Sequence, residues 1–184
     1  VIESALKSAG ATGTAFDTIV ASGPNSALPH HKAGNRLISK GDSVVIDMGA
    51  LYKGYRSDLS RTYFVGDSDR SKFDEIYGIV LEAQMAAEES AIPGMVGREL
   101  DAVARDVIEG YGYGSFFGHG LGHGVGVDVH ELPMVVPSSN DRILPGSVFT
   151  VEPGIYIPGW GGVRIEDVLV MGDSSAEVLT LSKK

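Results

Sequence analysis

The chain has 184 residues, 43% of them hydrophobic and 21% charged, enough for one folded domain with a real core and unlike a disordered chain. A formal net charge of −9 argues against nucleic acid or an anionic membrane as partner, and no apolar run approaches the ~20 residues of a membrane span. Cysteine is absent, so disulfides and thiolate metal sites are both excluded; any metal must sit on carboxylates and histidines, and a cytoplasmic location is the default.

Residues 1–9 read as the last turns of a helix closed by Gly10. An extended stretch over 16–23 follows, then a loop rich in Pro, Asn and Ser up to Gly41. Residues 43–50 and 55–65 form two strands around a Lys53-Gly54 turn signal. The spacing of Phe73, Ile76, Tyr77, Val80, Leu81 and Met85 predicts a helix over 71–91. Pro93-Gly94 breaks it. A second helix over 97–109 carries Leu100, Val103, Ala104, Val107 and Ile108 on one face. A Gly/His loop segment runs to Glu131, and strands at 147–152, 154–157, 163–171 and 177–181 complete one domain. Each half then follows one order: helix, histidine-bearing loop, carboxylate-bearing hairpin. The second half has two helices before its loop and the first half only the stub at 1–9. A helix upstream of Val1, and a further N-terminal domain before it, are therefore expected.

Asp47 lies in an apolar strand, where a lone carboxylate is costly unless paired or metal-bound. A turn centred on Tyr52-Lys53 opposes Asp47 and Asp58 directly, and one centred on Lys53-Gly54 sets them on a diagonal. Both keep them on one face. A loop centred on Gly159 likewise opposes Glu152 and Glu166. Four converging carboxylates need neutralising, and divalent cations do this simply because hard and borderline metals take oxygen ligands. The competing reading is a protonated cluster, or one paired with Arg56, Arg61 or Arg164. His119, His123 and His130 supply nitrogen in GHGLGHGVGVDVHE. This stretch fits neither a dinucleotide nor a P-loop glycine motif, and H-E-x-x-H fails because Met134 stands where the second histidine belongs. His123 and His130, seven apart, would not share a face of a regular strand. Each histidine alone, like His30 after Pro29, suits an ordinary loop residue as well as a functional one.

Taken in order, PHH at 29–31, IDMG at 46–49, SDLSRT at 57–62, GHGLGHGVGVDVHE, FTVEPGIY at 149–156 and GGVRIED at 161–167 resemble the pita-bread metallopeptidases. That family includes methionine aminopeptidase, aminopeptidase P and prolidase. The resemblance implies an α+β pita-bread fold of two pseudo-symmetric halves, with 1–184 as the catalytic domain. It also implies two divalent ions (Mn, Co, Zn or Fe) on Asp47, Asp58, His123, Glu152 and Glu166. By the same resemblance Asp58 and Glu166 bridge both ions, Asp47 holds one, and His123 with Glu152 the other. Glu152 moves protons, His130 serves the oxyanion, His30 contacts the leaving residue, and His119 belongs to the same wall. Arg164, two residues before Glu166, either clamps a substrate carboxylate or orients the ligand carboxylates. Its segment resembles the prolidase and aminopeptidase P branch, which implies peptide substrates of Xaa-Pro type. A homodimer is allowed. The rivals are a methionine aminopeptidase, which shares the five ligands, and a metal-free peptide-binding module on the same fold.

Overall fold

The Lys53-Gly54 turn shows how the first half is built. The computed structural model describes residues 1–184. Lys53 and Gly54 both take positive φ, 49° and 86°, the geometry that joins twisted antiparallel strands through two residues. Helix α1 (Ile2–Ser8) ends at Gly10, also left-handed at φ 104°, and leads to β1 (Gly13–Thr14) and β2 (Ile19–Ser22). A short 3-10 turn over Gly23–Ala27 precedes β3 (Ser43–Met48), β4 (Ala50–Tyr52), β5 (Tyr55–Arg56) and β6 (Leu59–Phe64). Strands β2, β3 and β6 form one three-stranded sheet, and β1, β4 and β5 another. Asp47 pairs with Ser60, so Asp58 lies one diagonal away. Of the two turn centres the sequence allows, the Lys53-Gly54 one is realised.

Helices α2 (Ser71–Ser90) and α3 (Gly97–Gly110) pack against each other and over the second half. The expected apolar faces are real: Phe73, Ile76, Val80, Leu100, Ala104 and Ile108 are buried in one core. Each large apolar side chain so buried contributes roughly 1.5–3 kcal/mol. Met85 departs from the expectation and is exposed, because the buried stripe of α2 runs through Ala83, Gln84 and Ala87 instead.

The second half adds β7 (Gly122–Gly124), β8 (Glu131–Val135), β9 (Val148–Val151), β10 (Gly154–Ile157), β11 (Gly161–Arg164), β12 (Asp167–Met171) and β13 (Ala176–Val178). Five of them form a sheet in the order β13-β12-β9-β7-β8. The run β7-β9-β12 repeats the antiparallel order β2-β3-β6 of the first half, which is the two-halved pita-bread architecture. The strands differ from the expectation in several places: β8 lies where none is expected, and the last strand spans Ala176–Val178 in place of 177–181. The Gly/His segment contains strand β7: its glycines, weak strand formers in isolation, are required because a Cβ on Gly122 would strike the Thr150 carbonyl of β9. The stretch 163–171 is not one strand. It breaks at Ile165–Glu166, where the two halves meet.

That junction is stitched by hydrogen bonds. The Glu166 amide donates to the Ser60 carbonyl (3.1 Å), and the Arg164 amide to Thr62 Oγ1 (3.0 Å). Arg61 Nη1 donates to the Glu166 carbonyl at 2.5 Å. Arg61, only 4% exposed, also pairs with the fully buried Asp167 at 2.7 Å. These bonds fix the start of β6 against the β11–β12 break, and so bring Asp58 to Glu166.

Candidate active site

Asp58, His123 and Glu166 are all buried and offer one ligand atom each within 4.8 Å of one another. Nine positions singled out in the sequence line one cavity of about 700 Å³: His30, Asp47, Asp58, His119, His123, His130, Glu152, Arg164 and Glu166. The elements explain the convergence. Asp47 comes from β3 and Asp58 from the residue before β6, while Glu152 follows β9 and Glu166 precedes β12. The β10–β11 pairing sets Gly154 opposite Arg164, and the β9–β12 pairing sets Val151 opposite Asp167. Both registers lead to Glu152 facing Glu166.

His123 and His130 do meet, which a regular strand would forbid. The chain turns between β7 and β8, with a register shift at His123/Gly124, and their ring centroids come to 4.2 Å. His123 Nδ1–H donates to the Gly124 carbonyl (3.0 Å), which leaves Nε2 facing Glu152 Oε1 at 3.3 Å and Asp58 Oδ2 at 3.8 Å. A backbone acceptor on one ring nitrogen fixes the tautomer and frees the other for a metal. His30 and His130 are exposed at the cavity, and His119 is half-buried.

Arg164 is committed within the protein. Its guanidinium donates to Asp47 Oδ2 (2.7 Å), Ser60 Oγ (2.8 Å), the Tyr156 hydroxyl (3.0 Å) and the Pro29 carbonyl (3.2 Å), with 2% of the residue exposed. Of Arg56, Arg61 and Arg164, Arg164 alone touches one of the four carboxylates. Arg56 donates to the carbonyls of Ala15 and Val127, and the side-chain ion pair of Arg61 is with Asp167.

The protonation states follow from burial and crowding. Burial pushes the Asp58 carboxyl up to about 8, helped by the charges of Asp47 and Glu152. Burial, with Asp58 and Glu152 nearby, holds Glu166 well above the carboxylate range. Asp47 is raised by burial too, with Arg164 opposing. Glu152 goes the other way: burial would raise it, but hydrogen bonding from His123 and the charges of His119, His123 and Arg164 bring it below its ordinary value. One arginine does not neutralise this cluster. Asp47 Oδ1 is also buried with no hydrogen-bond partner. An orphaned carboxylate oxygen beside carboxyls that resist ionisation is the pattern that divalent cations resolve, and the oxygen-rich donor set with one imidazole fits them.

Two further residues take part in the site. Tyr156, raised to about 12 chiefly by burial, links Arg164 to His119. It shares its strand parity with Glu152, so the period of two could have found it. Ser60, opposite Asp47, is visible only once the register is known.

An α+β fold in two matching halves around a central carboxylate–histidine cluster defines the class of pita-bread metallopeptidases. The sequence profile of metallopeptidase family M24 matches residues 1–173, and the chain belongs to that family. It is 51% identical to the Xaa-Pro dipeptidase of Pyrococcus furiosus over 183 residues, covering 100% of this chain and 52% of that one. Its structure resembles the prolidase from Pyrococcus furiosus with a TM-score of 0.97 at 51% identity, covering 100% of this chain and 54% of that one. The X-Pro aminopeptidase from Thermotoga maritima is similar at 46% identity and a TM-score of 0.95, over 99% of this chain and 51% of that one. The chain thus spans about half the length of the curated relatives it matches.

Proposed function

We propose that this domain hydrolyses the N-terminal peptide bond of peptides whose second residue is proline. One observation carries the reading: Asp58, His123 and Glu166 converge within 4.8 Å in a cavity that also presents the exposed His30 and His130. The relatives named as Xaa-Pro peptidases support the substrate class.

Asp58 and Glu166 would hold two divalent ions jointly (Mn, Co, Zn or Fe), with Asp47 completing one site and His123 and Glu152 the other. Divalent cations in such a pair supply Lewis acidity toward a carbonyl and lower the pKa of water to near neutrality. Glu152, whose carboxyl lies below its ordinary value and is ionised at neutral pH, accepts a proton from the attacking water and returns it to the leaving nitrogen. Partial desolvation of its ring at the cavity wall and the neighbouring His123 depress His130, so its imidazole is neutral and donates an N–H to the developing oxyanion. His30 meets the substrate near the leaving residue. The four bonds of Arg164 support the role of orienting Asp47 over that of clamping a substrate carboxylate. The lack of cysteine supports a cytoplasmic setting.

The test is turnover of Xaa-Pro dipeptides, Xaa-Pro-Xaa peptides, Met-Ala and Met-Gly peptides after loading with Mn²⁺ or Co²⁺. Cleavage confined to the proline series is expected. Preference for the methionine peptides would assign the chain to the methionine aminopeptidase branch. Peptide binding without bound metal or turnover would make it a binding module.

A further inference from the structure

Helix α3 presents an ion pair to the back of the histidine segment. Asp101, 1% exposed, accepts Arg105 Nε at 2.8 Å and Nη2 at 3.0 Å. An i,i+4 pair of this kind ordinarily serves the helix that carries it. Here the pair reaches outward. Arg105 Nη1 donates to the Phe117 carbonyl (2.9 Å) and Nη2 to the His119 carbonyl (2.8 Å). The Leu121 amide donates to Asp101 Oδ1 (2.9 Å), and the guanidinium lies 4.2 Å from the centre of the Phe117 ring.

The contacted residues, 117, 119 and 121, alternate along a segment outside any helix or strand, with Gly118 and Gly120 between them. Glycine gives this backbone wide freedom and no side chain to hold it. Buried carbonyls need partners, and strand pairing begins only at Gly122. The ion pair therefore takes the place of a neighbouring strand. What it holds leads into the site: His119 Nδ1–H donates to the Gly120 carbonyl (2.7 Å), and Nε2 accepts the Tyr156 hydroxyl (2.8 Å). Tyr156 accepts Arg164 Nη1 (3.0 Å), and Arg164 holds Asp47 (2.7 Å).

We propose that Asp101 and Arg105 are positioning residues that clamp the segment 117–121, set the His119 imidazole against Tyr156, and so tune the reaction from outside the cavity. The effect on turnover rests on the peptidase reading above; the geometric effect on His119 does not. Supporting groups of this kind commonly change activity by 10–100-fold when removed. Arg105→Lys keeps the charge and loses the fork that reaches both carbonyls.

The experiment places Arg105→Lys in the wild-type and His119→Ala backgrounds, on protein loaded with Mn²⁺, and measures kcat/KM on a Xaa-Pro substrate. A residue acting through His119 gives a loss of about tenfold in the first background and less than about threefold in the second. Mn²⁺ affinity by calorimetry should stay within about twofold, since the metal-facing side chains are untouched. Equal losses in both backgrounds, or no loss in the first, overturn the proposal. A reading independent of turnover is the ring resonance of His119 in NMR, assigned by its disappearance in His119→Ala. It should move in Arg105→Lys, and an unmoved resonance refutes the clamp even if the chain cleaves nothing. Arg105→Gln repeats the test with the charge removed. If both Arg105 variants unfold at the assay temperature, the pair is a stability element and the proposal fails.

Discussion

Each histidine at the cavity meets a different set of neighbours, and those neighbours separate their roles. His123 is buried, tied through Nδ1 to Gly124, and faces two carboxylates; His30 and His130 open to the cavity. His123→Ala is therefore expected to lose bound metal, while His130→Ala and His30→Ala keep it and lower turnover by about 10²-fold or more. Metal analysis beside kinetics checks this, and equal metal loss in all three would refute the division. The same logic applies to Asp58 and Glu166, proposed above to hold both ions. Asp58→Ala or Glu166→Ala should release both ions, and retention of two ions by either variant would end the bridging assignment. Arg164→Met should lower turnover and weaken metal binding together, because it leaves Asp47 and the Tyr156 hydroxyl without their donor. A change in KM alone would favour the substrate-clamp role.

Among the elements, β7 is the one whose sequence is least like a strand and whose position matters most. Gly122 lies against β9 so closely that a Cβ would strike the Thr150 carbonyl, and Thr150 Oγ1 accepts the His123 amide (3.1 Å) while donating to Glu152 Oε1 (3.2 Å). Gly122→Ala must push β7 from β9, carrying His123 away from Glu152. A stability loss of about 1–3 kcal/mol and weaker metal binding are expected together, read by thermal melting and metal titration. An alanine variant that melts and binds metal like the parent would show that the strand has slack. On α2 and α3 the apolar positions follow the helical period, yet Asp101 and Gln84 are buried among them. Each finds partners in distant segments: Leu121 for Asp101, beside Arg105 one turn along the same helix, and Val151 and Asp167 for Gln84.

For the molecule as a whole, the cluster ties stability to pH and to metal. With Asp58 raised to about 8 and Glu166 held well above its ordinary value by burial, the metal-free folded chain holds protons that the unfolded chain has released above its ordinary carboxylate range. Stability must then fall as pH rises from about 5 to about 8.5, since the folded state is the one binding more protons there. Divalent ions bind the ionised ligands, so the stabilisation they give must grow over the same interval. Melting curves of the chelator-treated protein should drop by several degrees across this window, with Mn²⁺ restoring most at the upper end. A metal-free melting temperature that stays flat or rises would contradict the protonated state of the cluster.

Sequence by itself determined much of this protein, because the strongest signals were local. Periodicity placed both helices, the Lys53-Gly54 turn placed one hairpin, and a loop centred on Gly159 set Glu152 opposite Glu166. Residue type and order also named the nine positions that the fold gathers around one cavity. Tertiary structure decided what depends on contacts across the chain. The two halves are joined at the β11–β12 break through Ser60, Arg61 and Thr62, whose partners across the chain no local pattern marks. His123 and His130 become neighbours through a turn and a register shift, where period-two counting keeps them apart. Arg164 could have faced substrate or ligand on its strand alone; four acceptors from Pro29, Asp47, Ser60 and Tyr156 fix it inward. A sequence records which donors and acceptors a chain carries, but a buried charge finds its partner in three dimensions, where folding has already removed the water that would otherwise have satisfied it.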